Sequence, residues 1–87
     1  LDEDEFATIY SENYQPLLGY ALRRCRSPDD AADVVAETFT VAWRRSDDVP
    51  AGEETRLWLY GVARRVLANH HRGERRHSIK TAMLSQL

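Results

Sequence analysis

A chain of 87 residues, 43% hydrophobic and 30% charged, is long enough for one small domain with a modest core and too apolar to stay disordered. Its size excludes a deep substrate cavity. No run approaches the roughly 20 apolar residues of a membrane span, and the acidic start LDEDEF is unlike a secretory signal, so no membrane is expected as a partner. The net charge of −2 conceals an asymmetry: residues 1–54 hold five Arg against thirteen acids, net −8, whereas residues 55–80 hold seven basic side chains against Glu74 alone, net +6. Two faces with different partners are expected. The single cysteine, Cys25, rules out an internal disulfide, and a cytoplasmic location is the default expectation. Because the first residue is Leu1 rather than Met, a piece of a longer protein is expected.

Glycine and proline are scarce and strand-like alternation is absent, so the fold class is all-α: a compact bundle of about four helices. A first helix is predicted from about Asp4 to Tyr14, with Phe6, Ile9 and Tyr10 at helical spacing. A second is predicted to start near Pro16, since proline suits a first helical position, and to carry Leu17, Leu18, Ala21 and Leu22 toward Cys25. The third opens on S-P-D-D, residues 27–30. Ser27 fits the N-cap, Pro28 the first turn, and Asp29 and Asp30 complement the positive helix end. It is expected to reach about Arg45, with Ala31, Val35, Phe39 and Ala42 inward and Asp33, Glu37, Thr40 and Arg44 outward. SDDVPAGEE, residues 46–54, reads as a loop. The fourth helix begins near Thr55 and passes Arg72, with Leu59, Val62, Ala63, Val66 and His70 as its buried stripe. The end, SIKTAMLSQL, has weak helical character and reads as a linker or a frayed extension.

Catalytic chemistry finds little support, because no nucleophile is placed beside a base and no glycine-rich phosphate loop exists. The chain is therefore not expected to be an enzyme. His70 and His71 are adjacent on a helix and point about 100° apart, whereas helical metal pairs are usually spaced i, i+4; no metal and no cofactor is expected. Cys25 reads as a small buried apolar residue. The fourth helix is more informative. Arg64, Ala68, Arg72 and Arg75 form one exposed row and Arg65, Asn69, Arg72 and Arg76 an adjacent one, a stripe of positive potential suited to tracking phosphates. The bland alternative is a solvated face paired with the acidic first half. Arginine, used almost exclusively over lysine, suits bidentate phosphate or base-edge contacts, and the Asn69 amide can read bases. Trp58 and Tyr60 either stack on unpaired bases or fill the core. Asp33 and Glu37, one turn apart, either dock a basic partner or form an ordinary solvated face.

DAADVVAETFTVAWRR (30–45), a polar loop, and RLWLYGVARRVLANHHR (56–72) together resemble region two of bacterial RNA polymerase sigma factors, most of all the small extracytoplasmic-function (ECF) group. The upstream FATIYSENYQPLLGYALRR is similar to the aromatic-rich first helices of that domain. The resemblance covers Phe6 to about His77, and implies a domain over residues 1–77 followed by the start of an interdomain linker over 78–87. It implies transcription initiation: binding of RNA polymerase core through the β′ subunit clamp helices, and recognition and melting of the −10 promoter element with non-template bases flipped out. Carried over by position, Asp33, Ala36, Glu37 and Thr40 are polymerase-binding. Arg56, Trp58, Tyr60, Arg64, Arg65, Asn69, Arg72 and Arg76 are DNA-binding, and Val49, Pro50, Ala51 and Gly52 form the base-capture loop. For many members an anti-sigma protein is a further partner, and a full-length member adds a second helical domain for the −35 element.

The sequence departs from the family pattern in three places: Ala36 stands where Gln is frequent, Arg65 where Asn is frequent, and the loop is acidic (Asp47, Asp48, Glu53, Glu54) with no aromatic residue. Two competing readings are a stand-alone helical DNA-binding regulator, such as a helix-turn-helix repressor, and a protein-interaction module whose basic helix docks an acidic partner. The first predicts appreciable duplex affinity for the isolated chain; the second predicts no nucleic-acid binding at low salt.

Overall fold

A computed structural model describes residues 1–86. Three long helices carry it, α1 (Glu3–Leu22), α2 (Pro28–Arg44) and α3 (Glu54–Ser85), with a short 3-10 turn at Ser46–Asp48 between the last two. No strand occurs among the described residues. The all-α expectation holds, but the count of about four helices does not: the two helices expected before Cys25 are one.

Pro16 lies inside α1 rather than at the start of a new helix. Proline has no N–H to give the carbonyl four residues earlier, which normally costs a helix about 3 kcal/mol or more. Here the carbonyl concerned is that of Glu12, and Arg56 Nη2 of α3 donates to it at 2.9 Å. The same guanidinium donates through Nε to Asn13 Oδ1 at 2.8 Å. A side chain from another helix thus replaces the missing backbone donor, and α1 continues through the proline.

The helix ends follow local rules. Asp2 caps α1 by accepting from the Glu5 N–H at 2.8 Å, and Glu3, Asp4 and Glu5 occupy its first turn. Ser27 caps α2 by accepting from the Asp30 N–H at 3.1 Å, with Pro28 opening the helix as expected. Gly52, at φ 70°, turns the chain into α3, where the Thr55 hydroxyl donates to the Pro50 carbonyl at 2.6 Å.

One core joins the three helices. Leu17 and Ala21 come from α1, Ala31, Val34, Val35, Phe39 and Ala42 from α2, and Leu59, Val62, Ala63, Val66 and Leu67 from α3. Its polar members are bonded: the Thr38 hydroxyl to the Val34 carbonyl at 2.8 Å, and the Asn13 amide to the Ile9 carbonyl at 2.8 Å and to Arg56. His70, at the end of the stripe, is partly buried and His71 is exposed, as their neighbouring positions on the helix predict, while Leu22 and Tyr10 are exposed.

The molecule measures 54 × 22 × 18 Å. The long axis reflects the 32 residues of α3, about 48 Å at 1.5 Å per residue. Buried positions on α3 stop at Leu67, and from Arg75 onward every described residue is exposed. The segment expected to be a linker, 78–87, is helical to Ser85; its last residue, Leu87, lies outside the described residues. No described helix is long and apolar enough to cross a membrane.

Candidate nucleic-acid interface

On α3, burial of Leu59, Val62, Ala63, Val66 and Leu67 turns the remaining positions outward: Arg64, Arg65, Ala68, Asn69, Arg72, Arg75 and Arg76 are all exposed. Among the described residues, an ion pair joins Arg45 to Asp48, while His70 lies beside the Asp30 and Glu74 carboxylates and His71 beside that of Glu74. No arginine of α3 is neutralised by them, so the bland alternative of a face paired with the acidic half does not describe this surface. Arg72 donates through Nη2 to Asn69 Oδ1, which pairs one amide with one guanidinium on this face.

Three of the expected DNA-binding residues are differently placed. Arg56 is tied to Glu12 and Asn13 of α1, so its guanidinium supports the fold. Trp58 is half-buried against the core, with the Arg45 guanidinium 5.6 Å above its ring. Tyr60 is also half-buried and meets Tyr20 edge to face at 5.0 Å between ring centres. Both aromatics therefore pack against the core while part of each side chain stays accessible.

The loop residues Val49, Pro50, Ala51 and Gly52 form one wall of an open groove of about 770 Å³, whose opposite wall comes from α1 through Thr8, Ile9 and Asn13. Glu5, Glu12 and Glu53 also line it. Among the described residues, Arg56 is the one basic side chain of the lining, so carboxylates outnumber cations there.

On α2, Asp33, Ala36, Glu37 and Thr40 are exposed, and the Thr40 hydroxyl donates to the Ala36 carbonyl at 2.9 Å. Beside Ala36 and Thr40 lies a shallow hollow of about 520 Å³ lined by Phe6, Tyr10, Phe39 and Trp43. The rings interlock: Phe6 meets Trp43 at 5.1 Å and Tyr10 meets Phe39 at 4.7 Å between ring centres. Trp43 nevertheless remains 47% exposed. Sequence reasoning missed this hollow. The available signal was the pair of i, i+4 aromatic repeats, Phe6–Tyr10 and Phe39–Trp43, each of which puts two rings on one helix side.

Elsewhere on the surface, Cys25 is half-buried, not core; burial, and secondarily the Asp30 and Glu74 carboxylates, push its thiol above the ordinary value.

A small helical domain with an unneutralised arginine face on one helix and an acidic, aromatic-edged face on another is the class defined by this geometry. Residues 9–77 match the protein family described as Sigma-70 region 2, and the chain belongs to that family. Its members are non-enzymatic initiation factors. The chain is 34% identical over 68 residues to the ECF RNA polymerase sigma factor SigL of Mycobacterium tuberculosis, covering 77% of this chain and 38% of that protein. It is 29% identical over 69 residues to the RNA polymerase sigma factor YlaC of Bacillus subtilis, covering 79% of this chain and 40% of that protein. The chain thus spans about two fifths of the length of these curated relatives. No solved structure gives a significant match.

Proposed function

We propose that this chain is the promoter-recognition domain of an ECF-type transcription initiation factor, with residues 1–77 as the domain and 78–87 as the start of the connection to the next. Asp33, Ala36, Glu37 and Thr40 of α2 bind RNA polymerase core at the β′ clamp helices. Arg64, Arg65, Asn69, Arg72 and Arg76 of α3 face promoter DNA at the −10 element, and Val49, Pro50, Ala51 and Gly52 border the place where a flipped non-template base is held. Arg56 acts indirectly, by holding α1 against α3. The domain acts in the cytoplasm, and an anti-sigma protein covering either face would silence it.

The observation that carries this reading is the division of labour between two helices: an exposed arginine face on α3 that no described carboxylate neutralises, and on α2 exposed acids together with one side of an aromatic hollow shared with α1. Accessible ring edges and exposed carboxylates on one helix suit a partner helix that is apolar on one side and basic beside it, since aromatic anchors supply contact energy and charges supply register. The surplus of acids in residues 1–54 lowers non-specific attraction to DNA until polymerase contributes the remaining affinity.

Calorimetric titration of the chain into an isolated clamp-helix fragment tests the reading. Micromolar binding is expected, weakened at least tenfold, or about 1.4 kcal/mol, by Glu37→Arg. Equal binding by a folded Glu37→Arg variant would remove the acidic face from the interface. No binding by the folded parent would favour the stand-alone DNA-binding regulator, which duplex titration at low salt would then reveal.

A further inference from the structure

One cluster lies outside both faces. Asp30 sits in the first turn of α2, while His70 and Glu74 stand one turn apart on α3. Their side chains converge: His70 Nε2 is 3.2 Å from Glu74 Oε1 and 3.7 Å from Asp30 Oδ1, and one ligand atom from each of the three residues lies within 4.8 Å of the others. All three residues are half-buried. Nε2 itself is shielded from solvent and has no hydrogen-bond partner among the described residues, although two carboxylates flank it. A buried polar atom left in this state is unfavourable, and a ligand at the same point would relieve it.

An imidazolium between two carboxylates is the simplest account, but it calls for an N–H aimed at one oxygen, and neither contact has the geometry of a hydrogen bond. A metal ion asks for something different: three donor atoms around a common centre. Zinc bonds of about 2.0–2.2 Å in a tetrahedron place neighbouring donors roughly 3.3–3.6 Å apart. The observed 3.2 and 3.7 Å bracket that spacing. The donor set also discriminates. One imidazole nitrogen and two carboxylate oxygens suit zinc and its neighbours, whereas magnesium and calcium favour oxygen alone. Cys25 is not among the residues whose ligand atoms converge at this point.

We propose that Asp30, His70 and Glu74 bind a divalent cation of the zinc class, with water completing the coordination. The site ties the first turn of α2 to α3 just beyond Leu67, the last buried residue of that helix. It also cancels the charge of Glu74, the one acid within the basic segment, beside Arg72, Arg75 and Arg76. This inference is independent of which partner the arginine face meets.

Titration of the metal-stripped chain with zinc by calorimetry, with circular dichroism to verify folding, decides the matter. One ion per chain is expected, with a raised Tm and little response to magnesium. Losing only a hydrogen-bond partner of a ligand typically weakens a metal site about 10–100-fold, so removing a ligand itself in His70→Gln or Glu74→Gln is expected to cost at least about 100-fold. Asp30→Asn, on the other helix, tests the tie between helices, and His77→Gln, exposed and outside the cluster, leaves affinity unchanged. A folded parent that fails to bind zinc below about 100 µM overturns the proposal. Undiminished binding by His70→Gln also overturns it, because the ion would then sit on an adventitious surface site.

Discussion

The two halves of α3 share one continuous backbone helix and little else. From Thr55 to Leu67 six side chains are buried against α1 and α2, and the helix is held by the core. From Arg75 to Ser85 every residue is exposed, and even Ile79, Met83 and Leu84 are 55–68% accessible. Between them sits Gly73, with the lowest helix propensity of any residue except proline. Helical segments of this length are marginal in water without tertiary contacts, so the outer half draws its helicity from propagation out of a nucleated inner half. The contrast divides the arginine rows: Arg64 and Arg65 project from the anchored half, whereas Arg75 and Arg76 stand on a stretch that only its own hydrogen bonds maintain, with Arg72 between them.

Substitutions in the two halves should therefore differ most in stability. Leu59→Ala, at a fully buried site, is expected to cost about 2–5 kcal/mol in urea unfolding, whereas Ile79→Ala should fall within about 0.5 kcal/mol of the parent. Similar values for the two would mean that the outer half packs against something in solution. Next in size is Arg56→Ala, which strips a charged donor from both Glu12 and Asn13 and should cost about 1.5–3 kcal/mol. Pro16→Ala supplies the Glu12 carbonyl with a backbone donor from within α1. Arg56→Ala should then cost less in that background, with a coupling of at least about 0.5 kcal/mol in the double-mutant cycle. Strict additivity would show that Arg56 does not compensate for the proline.

A smaller effect is expected at the junction of the halves. A Cβ at Gly73 meets no atom within 4 Å, and Gly73→Ala should strengthen the helix by about 0.5–1 kcal/mol. The readout is slower amide exchange over residues 71–80, with the inner half unaffected. The smallest effect on stability, close to zero, is expected for Arg65→Ala, which has no partner among the intrachain ion pairs. Its signature lies in binding: DNA affinity in the polymerase-bound state should fall, and the salt slope should decrease by roughly one unit if its guanidinium meets a phosphate.

Much of the architecture was legible from local pattern. The S-P-D-D cap, the inward stripe of α2 and the buried positions of the inner half of α3 follow from spacing alone, because helical periodicity decides which side of a helix a residue occupies. The exposed arginine rows were equally legible, as the complement of that stripe. Pro16 was not: its local signal says helix start, and the residue that overrides it is 40 positions away in Arg56. Arg56 itself was grouped with the DNA-facing arginines because charge pattern does not reveal a carbonyl waiting on another helix.

By itself, then, the sequence determined the helical class, the caps, the charge separation and, through ordered motifs, membership of the sigma-70 region 2 family. Tertiary structure alone decided which sides meet. It fused two expected helices into α1 and moved Trp58 and Tyr60 toward the core. It also assembled the aromatic hollow from Phe6, Tyr10, Phe39 and Trp43, and brought Asp30 to His70 and Glu74. The physical reason is range. Caps and amphipathic stripes depend on neighbours within about one or two turns, whereas these pairings join side chains tens of residues apart, whose contact depends on how three helices cross.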